Sequence, residues 1–454
     1  MSAEPGTPSG PQARRRNGLR PRTFPDILYG AVHLSGWISP LLDTPPLRRL
    51  AGVSLSDVPG EILFGRPFPS RLDHARGVYA LARAARPRDR ALHVAALAHD
   101  LGHGPFSHLT EPLMIEYLGV DHERRSTQLL GDVRASLAPA AARQISWLDW
   151  DEVAALMLGQ SSDGRGALLN GRMDYDNLDY VARFLVAGRL GDPGYDGRRL
   201  ARALRLAPAL GGVALLPEEA EGARAWLANR ATLYEWLHEG HRDLAAHAML
   251  RKAVDLAAHA DGLPTTFFDL TDSAALEFLS RRRRSGQALL VEKVLRDDLY
   301  PCIWEAEIPR DHAELRALFD HWRDRLALED ALAAEAGLAS HEVVTDALAS
   351  SAYRELPPLL AANGVASAPE VVSAAPPYVF HHFVAPSAGR DYQRRLRMAA
   401  ERRLSALGAV APRHIFLAQT NSYCAGVGGV NGGDGSFARR SASSRTRVAA
   451  SGGT

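Results

Sequence analysis

Between positions 98 and 108 the chain reads Ala98-His99-Asp100-Leu101-Gly102-His103-Gly104-Pro105-Phe106-Ser107-His108, three imidazoles and a carboxylate within one short stretch. Imidazole nitrogen and carboxylate oxygen together suit a divalent cation of borderline to hard character. The adjacent His99 and Asp100 bring two such donors together at little entropic cost. The chemistry to expect from them is hydrolysis by a metal-activated water. Two donors do not hold a cation, so further ligands must come from elsewhere. His74, in Arg71-Leu72-Asp73-His74, lies upstream, and the carboxylate cluster Asp174-Tyr175-Asp176-Asn177-Leu178-Asp179-Tyr180 lies downstream.

These residues need helices to carry them. The apolar run Leu92-His93-Val94-Ala95-Ala96-Leu97 predicts a helix with His99 in its last turn. His103, four residues on, can then share a side with it before Gly104-Pro105 breaks the run. Apolar residues recur at helical spacing from 25 to about 260, which predicts a first lobe that is nearly all helix. Beyond 265, helical stretches such as 311–332 alternate with β-branched or aromatic runs at 300–307 and 377–384, predicting a smaller α+β lobe. The expected fold class is mostly α. The expected division is a disordered tail at 1–22, a helical core at 23–265, an α+β lobe at 266–427 and a Gly/Ser/Arg tail at 428–454.

Composition narrows the functional classes. With 46% hydrophobic and 23% charged residues in 454, the chain can bury a substantial core. Lys and Arg number 53 against 52 Asp and Glu, a net charge of +1, so bulk charge indicates neither a nucleic acid nor a membrane partner. The two cysteines, Cys302 and Cys424, exclude a disulfide scaffold and a cysteine-rich zinc module. No apolar run approaches the roughly 20 residues a bilayer-spanning helix needs. A cytoplasmic location is the expectation. Arg281-Arg282-Arg283-Arg284 reads as a solvated loop and His381-His382 as structural.

The order Arg-x-x-His, His-Asp-x-Gly-His-Gly-Pro-Phe-Ser-His, His-Glu and Asp-x-Asp-x-x-Asp-Tyr resembles the HD-domain phosphohydrolase superfamily. It is most similar to the branch of deoxynucleoside triphosphate triphosphohydrolases, and the likeness runs from about Tyr29 to Val254. The resemblance implies that His74, His99, Asp100 and Asp176 ligate one divalent ion, with Fe, Mn, Zn, Ni and Mg left open. It implies that His103, His108, Glu111 and His122 form a catalytic layer along the phosphates, although the branch has Asp in place of Glu111. Arg71, Tyr180 and Asp174 would contact a nucleotide or other phosphorylated small molecule, and the protein would form a homo-oligomer.

Two departures stand out. The branch has Lys where this chain has Asn177, and the stretch from Arg230 to His238 lacks the tyrosine expected beside the sugar. The favoured reading is a metal-dependent phosphohydrolase that cleaves a deoxynucleoside triphosphate to nucleoside plus triphosphate; the two departures favour the alternative, the same core acting on a nucleoside monophosphate or another phosphoester, and a non-catalytic nucleotide-binding regulator is the third reading. Asp179 and Arg183, at i and i+4, read equally well as a structural ion pair and as substrate contacts.

Overall fold

The computed structural model describes residues 20–208, 212–281, 286–308, 321–348, 356–360, 378–385, 389–406 and 411–413. Positions 1–19, 282–284, 311–320 and 414–454, with Cys424, lie outside them. The described residues of the first 415 positions belong to one compact unit.

Local chemistry explains where the helices that matter begin. Helix α1 (Arg71–Ala85) opens on a reciprocal cap: Ser70 Oγ accepts from the Asp73 amide, and the Asp73 carboxylate accepts from the Ser70 amide. Asp89 caps α2 (Arg90–Ala98), which is buried on nearly every side. The helices α3 (Glu111–Leu118) and α4 (His122–Ala135) follow, with Asp121 capping the second. Asp174 caps α6 (Tyr175–Gly188), after α5 (Trp150–Met157). Helices α7 (Gly197–Ala203) and α8 (Ala220–Glu239) complete the wall around α1, α2 and α6, and Trp226 of α8 is fully buried in that core.

The first lobe is helical in bulk, but two antiparallel hairpins interrupt it: β1 (Arg22–Asp26) with β2 (Gly30–Leu34), and β3 (Leu204–Ala207) with β4 (Gly212–Leu215). The first turns on Asp26, whose carboxylate accepts from the Leu28 and Tyr29 amides, and on Gly30 at φ +69°. The chain therefore enters the fold just before position 22, since Ser39 Oγ donates to the Arg20 carbonyl at 2.8 Å and Arg22 Nη1 donates to Asp43 at 2.9 Å.

A second core forms around α9 (His241–Asp261), with α10 (Asp272–Arg281), α11 (Gln287–Leu295) and α12 (Trp322–Ala336). It takes residues from Val58 to Ala385 and so spans position 265, where the sequence suggests a boundary. Beyond it lies an antiparallel sheet in the order β6 (Val343–Leu348), β7 (Tyr378–Val384), β5 (Cys302–Ile308), β8 (Ala411–Arg413), backed by α13 (Arg390–Ala406). The expected helix over 311–332 begins, within the described residues, at Trp322. His381 and His382 lie in β7, as expected for strand residues.

Buried ion pairs join α9 to α12 and the sheet. Lys252 Nζ donates to Glu329 Oε2 at 2.7 Å, and both side chains are almost completely buried. Glu329 Oε1 also accepts from the Thr345 amide and hydroxyl. Removing one partner of such a pair strands a charge. K252M should therefore lose about 3–5 kcal/mol of unfolding free energy in urea, and K252M/E329Q should recover much of it because Gln keeps the acceptor for Thr345. A loss below about 1 kcal/mol in K252M would contradict a stranded charge.

Candidate metal centre

Three helices and one turn bring the predicted residues together. His74 lies one turn into α1, His99 caps the C-terminus of α2, Asp100 follows it, and Asp176 sits in the first turn of α6. Donor atoms of His74, His99 and Asp100 all lie within 4.8 Å of one another and could hold a metal ion. Asp176 Oδ1 is 2.8 Å from His74 Nε2 and 3.7 Å from His99 Nε2.

The tautomers are arranged from behind. His74 Nδ1 is 2.8 Å from Asp179 Oδ1, and His99 Nδ1 is 3.0 Å from the Ala96 carbonyl. Each acceptor engages Nδ1 from behind and directs Nε2 inward, where His74 Nε2 is bonded to Asp176 and a metal would take the place of its proton. His99 Nε2 is buried with no hydrogen-bond partner, the state of a donor atom placed for a ligand other than protein. Asp179 is in turn gripped by Arg183 through Nε at 2.7 Å and Nη2 at 2.9 Å, and Arg183 reaches Asp26 Oδ2 at 2.9 Å. The i, i+4 pair is thus structural, and it also orients an imidazole of the centre. Gly77 makes this possible, because a Cβ there would stand 2.0 Å from Asp179 Oδ2.

Electrostatics follow from the crowding. Burial opposes charge on His74, but the Asp176 and Asp179 carboxylates outweigh it and raise its pKa to about 9. Burial likewise opposes the Asp100 carboxylate, yet His99, Arg71 and His103 hold it well below the usual range. Arg71 donates from Nη1 to Asp100 Oδ2 and from Nε to Ser107 Oγ, both at 3.0 Å.

A layer of three imidazoles adjoins the centre. The His103 and His122 rings stack at 4.1 Å, and His108 stands edge-on to both. His103 follows a turn, its amide bonded to the Asp100 carbonyl, rather than a continued helix. Gly102 lets α4 approach, since a Cβ there would meet the His122 carbonyl at 2.0 Å. Glu111 sits between the other two rings, with Oε2 2.8 Å from His108 Nδ1 and Oε1 2.5 Å from His122 Nδ1. Burial, together with the charges of Arg71 and His122, keeps His103 neutral, well below its ordinary pKa. His108 goes the other way: desolvation opposes its charge, but the Glu111 hydrogen bond and the Asp57 carboxylate raise its pKa.

Two expectations change. Asp174 is not free for a substrate, because its carboxylate accepts from the Gly171 amide and from the Asn177 amide and side chain as the cap of α6. Asn177 is directed into the protein, and its Oδ1 accepts from Arg230 Nη1 at 2.9 Å. The Arg230–His238 stretch does carry an aromatic hydroxyl near the centre: Tyr234 lies under the Arg230 guanidinium at 4.3 Å and acts electrostatically on Tyr180. Tyr180 itself stands edge-on to His74 at 6.4 Å.

Sequence reasoning misses Asp57, Asp272 and the His247–Asp346 pair. Asp57 Oδ1 accepts from the His108 amide, and Asp272 accepts from the Phe106 and Ser54 amides to pin the loop between His103 and His108. His247 Nδ1 lies 2.7 Å from Asp346 Oδ2, while its Nε2 is 3.6 Å from Asp57. No spacing in the sequence signals these contacts, which join positions up to 218 residues apart.

Residues 71–184 match the family described as HD domain. Over that stretch, which includes His74, His99, Asp100 and Asp176, the chain is similar to the HD superfamily. It is 30% identical over 199 residues to the uncharacterized protein YwfO of Bacillus subtilis, covering 40% of this chain and 44% of that protein. It is 30% identical over 128 residues to the deoxynucleoside triphosphate triphosphohydrolase SAMHD1 of Gallus gallus, covering 24% and 20%. It is 28% identical over 183 residues to the SAMHD1 homolog of Dictyostelium discoideum, covering 35% of each. The chain thus spans less than half the length of these relatives. The crystal structure of a hypothetical protein from Aquifex aeolicus shares the fold, with a TM-score of 0.62 at 18% identity over 83% of this chain and all of that one. HD domains bind divalent metals, and their general chemistry is hydrolysis. No helix among the described residues is long and apolar enough to cross a membrane.

Glu111 supplies a test of this electrostatic arrangement. The raised His108 pKa adds stability that is fully present below about pH 6.5 and fades as pH rises through the higher folded value. E111Q removes the charge that raises it, so the His108 titration midpoint followed by NMR should move down. An unchanged midpoint would show that Glu111 does not set it.

Proposed function

We propose that this protein is a metal-dependent phosphohydrolase that acts on a nucleotide, with a deoxynucleoside triphosphate as the favoured substrate and nucleoside plus triphosphate as products. The observation that carries the reading is the inward-facing set of His74 Nε2, His99 Nε2, Asp100 and Asp176, with a buried and unpartnered His99 nitrogen at its middle. Two imidazoles and two carboxylates suit Fe, Mn, Zn, Ni or Mg. A divalent ion held there supplies a water of lowered pKa and a Lewis acid for a phosphoryl oxygen.

The side chains around it have separable tasks in this reading. Arg71 uses Nε and Nη1 on Ser107 and Asp100, which leaves Nη2 to meet a phosphate oxygen. His103, neutral and buried, offers an N–H to developing charge without adding a cation. His108, its pKa raised by Glu111 and its side chain half exposed, is the better placed of the layer to give a proton to a leaving oxygen, with Glu111 holding it and His122 in register. Tyr180 borders the space beside His74, where a sugar would lie.

The inward turn of Asn177 favours a second reading with the same core and a smaller phosphoester, such as a nucleoside monophosphate. In the first reading Arg230 supplies the positive charge that Asn177 lacks. The product separates the two: triphosphate released from deoxynucleotides supports the first, and orthophosphate from monophosphates supports the second.

The experiment is a nucleotide panel offered to protein loaded with each metal in turn, with products resolved by chromatography. H99A/D100A should abolish turnover under every metal, and retained turnover would refute the centre. D179N keeps the shape of the side chain but weakens the acceptor behind His74. It should lower metal affinity by about 10–100-fold, read by competition with a chelator; unchanged retention would remove Asp179 from the centre.

A further inference from the structure

Away from the centre, His241, Cys302 and Glu305 bring one nitrogen, one sulfur and one carboxylate oxygen within 4.8 Å of one another. His241 opens α9, and Cys302 and Glu305 lie on β5. Residues three apart on a regular strand face opposite sides, so these two should not meet. A β-bulge resolves this. The ladder of β5 against β7 pairs Cys302 with Phe383 and Trp304 with His382, leaving Ile303 as the extra residue. Ile303 and Trp304 consequently both enter the core between the sheet and α13, while Cys302 packs on the α9 core and Glu305 reaches His241. The bulge is what converts an ordinary strand into a two-ligand edge, and α9 adds the third donor.

We propose that these three side chains form a second metal site, which takes a zinc-like divalent cation independently of the HD centre. The donor set argues for the cation: a thiolate excludes Mg and Ca, and the combination of sulfur, imidazole and carboxylate suits Zn. Thiolate and carboxylate together carry two negative charges, which neutralise a divalent ion with a neutral imidazole as third ligand. The ion would displace to solvent both the Cys302 thiol proton and the proton His241 now shares with Glu305. Three protein ligands leave a fourth position, and the half-exposed His241 side chain gives an entry path from solvent. Arg242 does not compete for it, being paired with Asp243 and Asp297. Cys302 is in no disulfide, and its thiol donates a weak hydrogen bond to the Trp304 carbonyl at 3.6 Å that a metal bond would replace. A bound ion would clip the start of α9 to the sheet.

The test uses the full chain, stripped with a chelator and titrated with Co(II). The HD centre has no sulfur ligand, so a thiolate-to-cobalt charge-transfer band in the near ultraviolet reports this cluster alone. The band is expected in the parent, in H99A/D100A and in C424S, and is expected to vanish in C302S while far-ultraviolet circular dichroism stays unchanged. A native mass spectrum of the unmutated chain should show one more zinc than the centre holds, which reports the site without any substitution. No band, a band that survives in C302S, or a mass with only the centre's ion would overturn the site.

Discussion

The grip of Asp179 on His74 is the constraint on which the centre depends. An imidazole can present a bare nitrogen to a cation only if its other nitrogen is occupied, and Asp179 occupies it from a position one turn beyond Asp176 on the same helix. The carboxylate would be costly in this buried place without Arg183, and Arg183 without Asp26. A chain of alternating charges therefore runs from the first hairpin to the centre. It explains why a β-turn at Asp26 belongs to a helical lobe, and why position 77 has to be glycine.

A second chain of charges runs from the imidazole layer to the sheet. His108 is held by Glu111 and, through its amide, by Asp57. Asp57 lies near His247, and His247 is tied to Asp346 on the sheet. Burial opposes charge on His247, but Asp346 and Asp57 raise its pKa to about 9, so it stays a cation between two carboxylates. The sheet and α9 thus contribute to the field at the half-exposed end of the imidazole layer. This is why the second core closes over the loop that carries His108, and why the helical and α+β parts share apolar packing instead of meeting across a linker.

The sequence discloses these two chains unequally. His74, His99, Asp100 and Asp176 are legible because residue type, order and helix-end signals act over a few positions, and each lies at or near a helix end. The mostly helical class is legible from the 3.6-residue period. The first hairpin is hidden because five-residue strands with one polar face carry too little pattern to compete with helical neighbours. Asp174 misleads because an aspartate before a helix can serve equally as cap and as substrate contact, and only the positions of the Gly171 and Asn177 amides decide. Asp57, Asp272 and Asp346 are illegible in principle, for their partners are tens to hundreds of residues away and no local rule couples them.

Asn177 and Arg230 show how the same site can be charged by different means. A lysine at 177 would send one cation outward from α6. Here the short amide turns in, accepts from Arg230 of α8 and lets Asp174 keep its cap. The guanidinium is stacked over Tyr234 and is almost fully buried, so its field acts through a medium of low polarizability, where a charge is felt more strongly than at a wet surface. Positive potential beside Tyr180 is therefore retained while its source moves to another helix. In the proposed reading, substrate preference should follow the α6–α8 contact as much as the metal ligands, because that contact sets how much positive charge would face a bound phosphate.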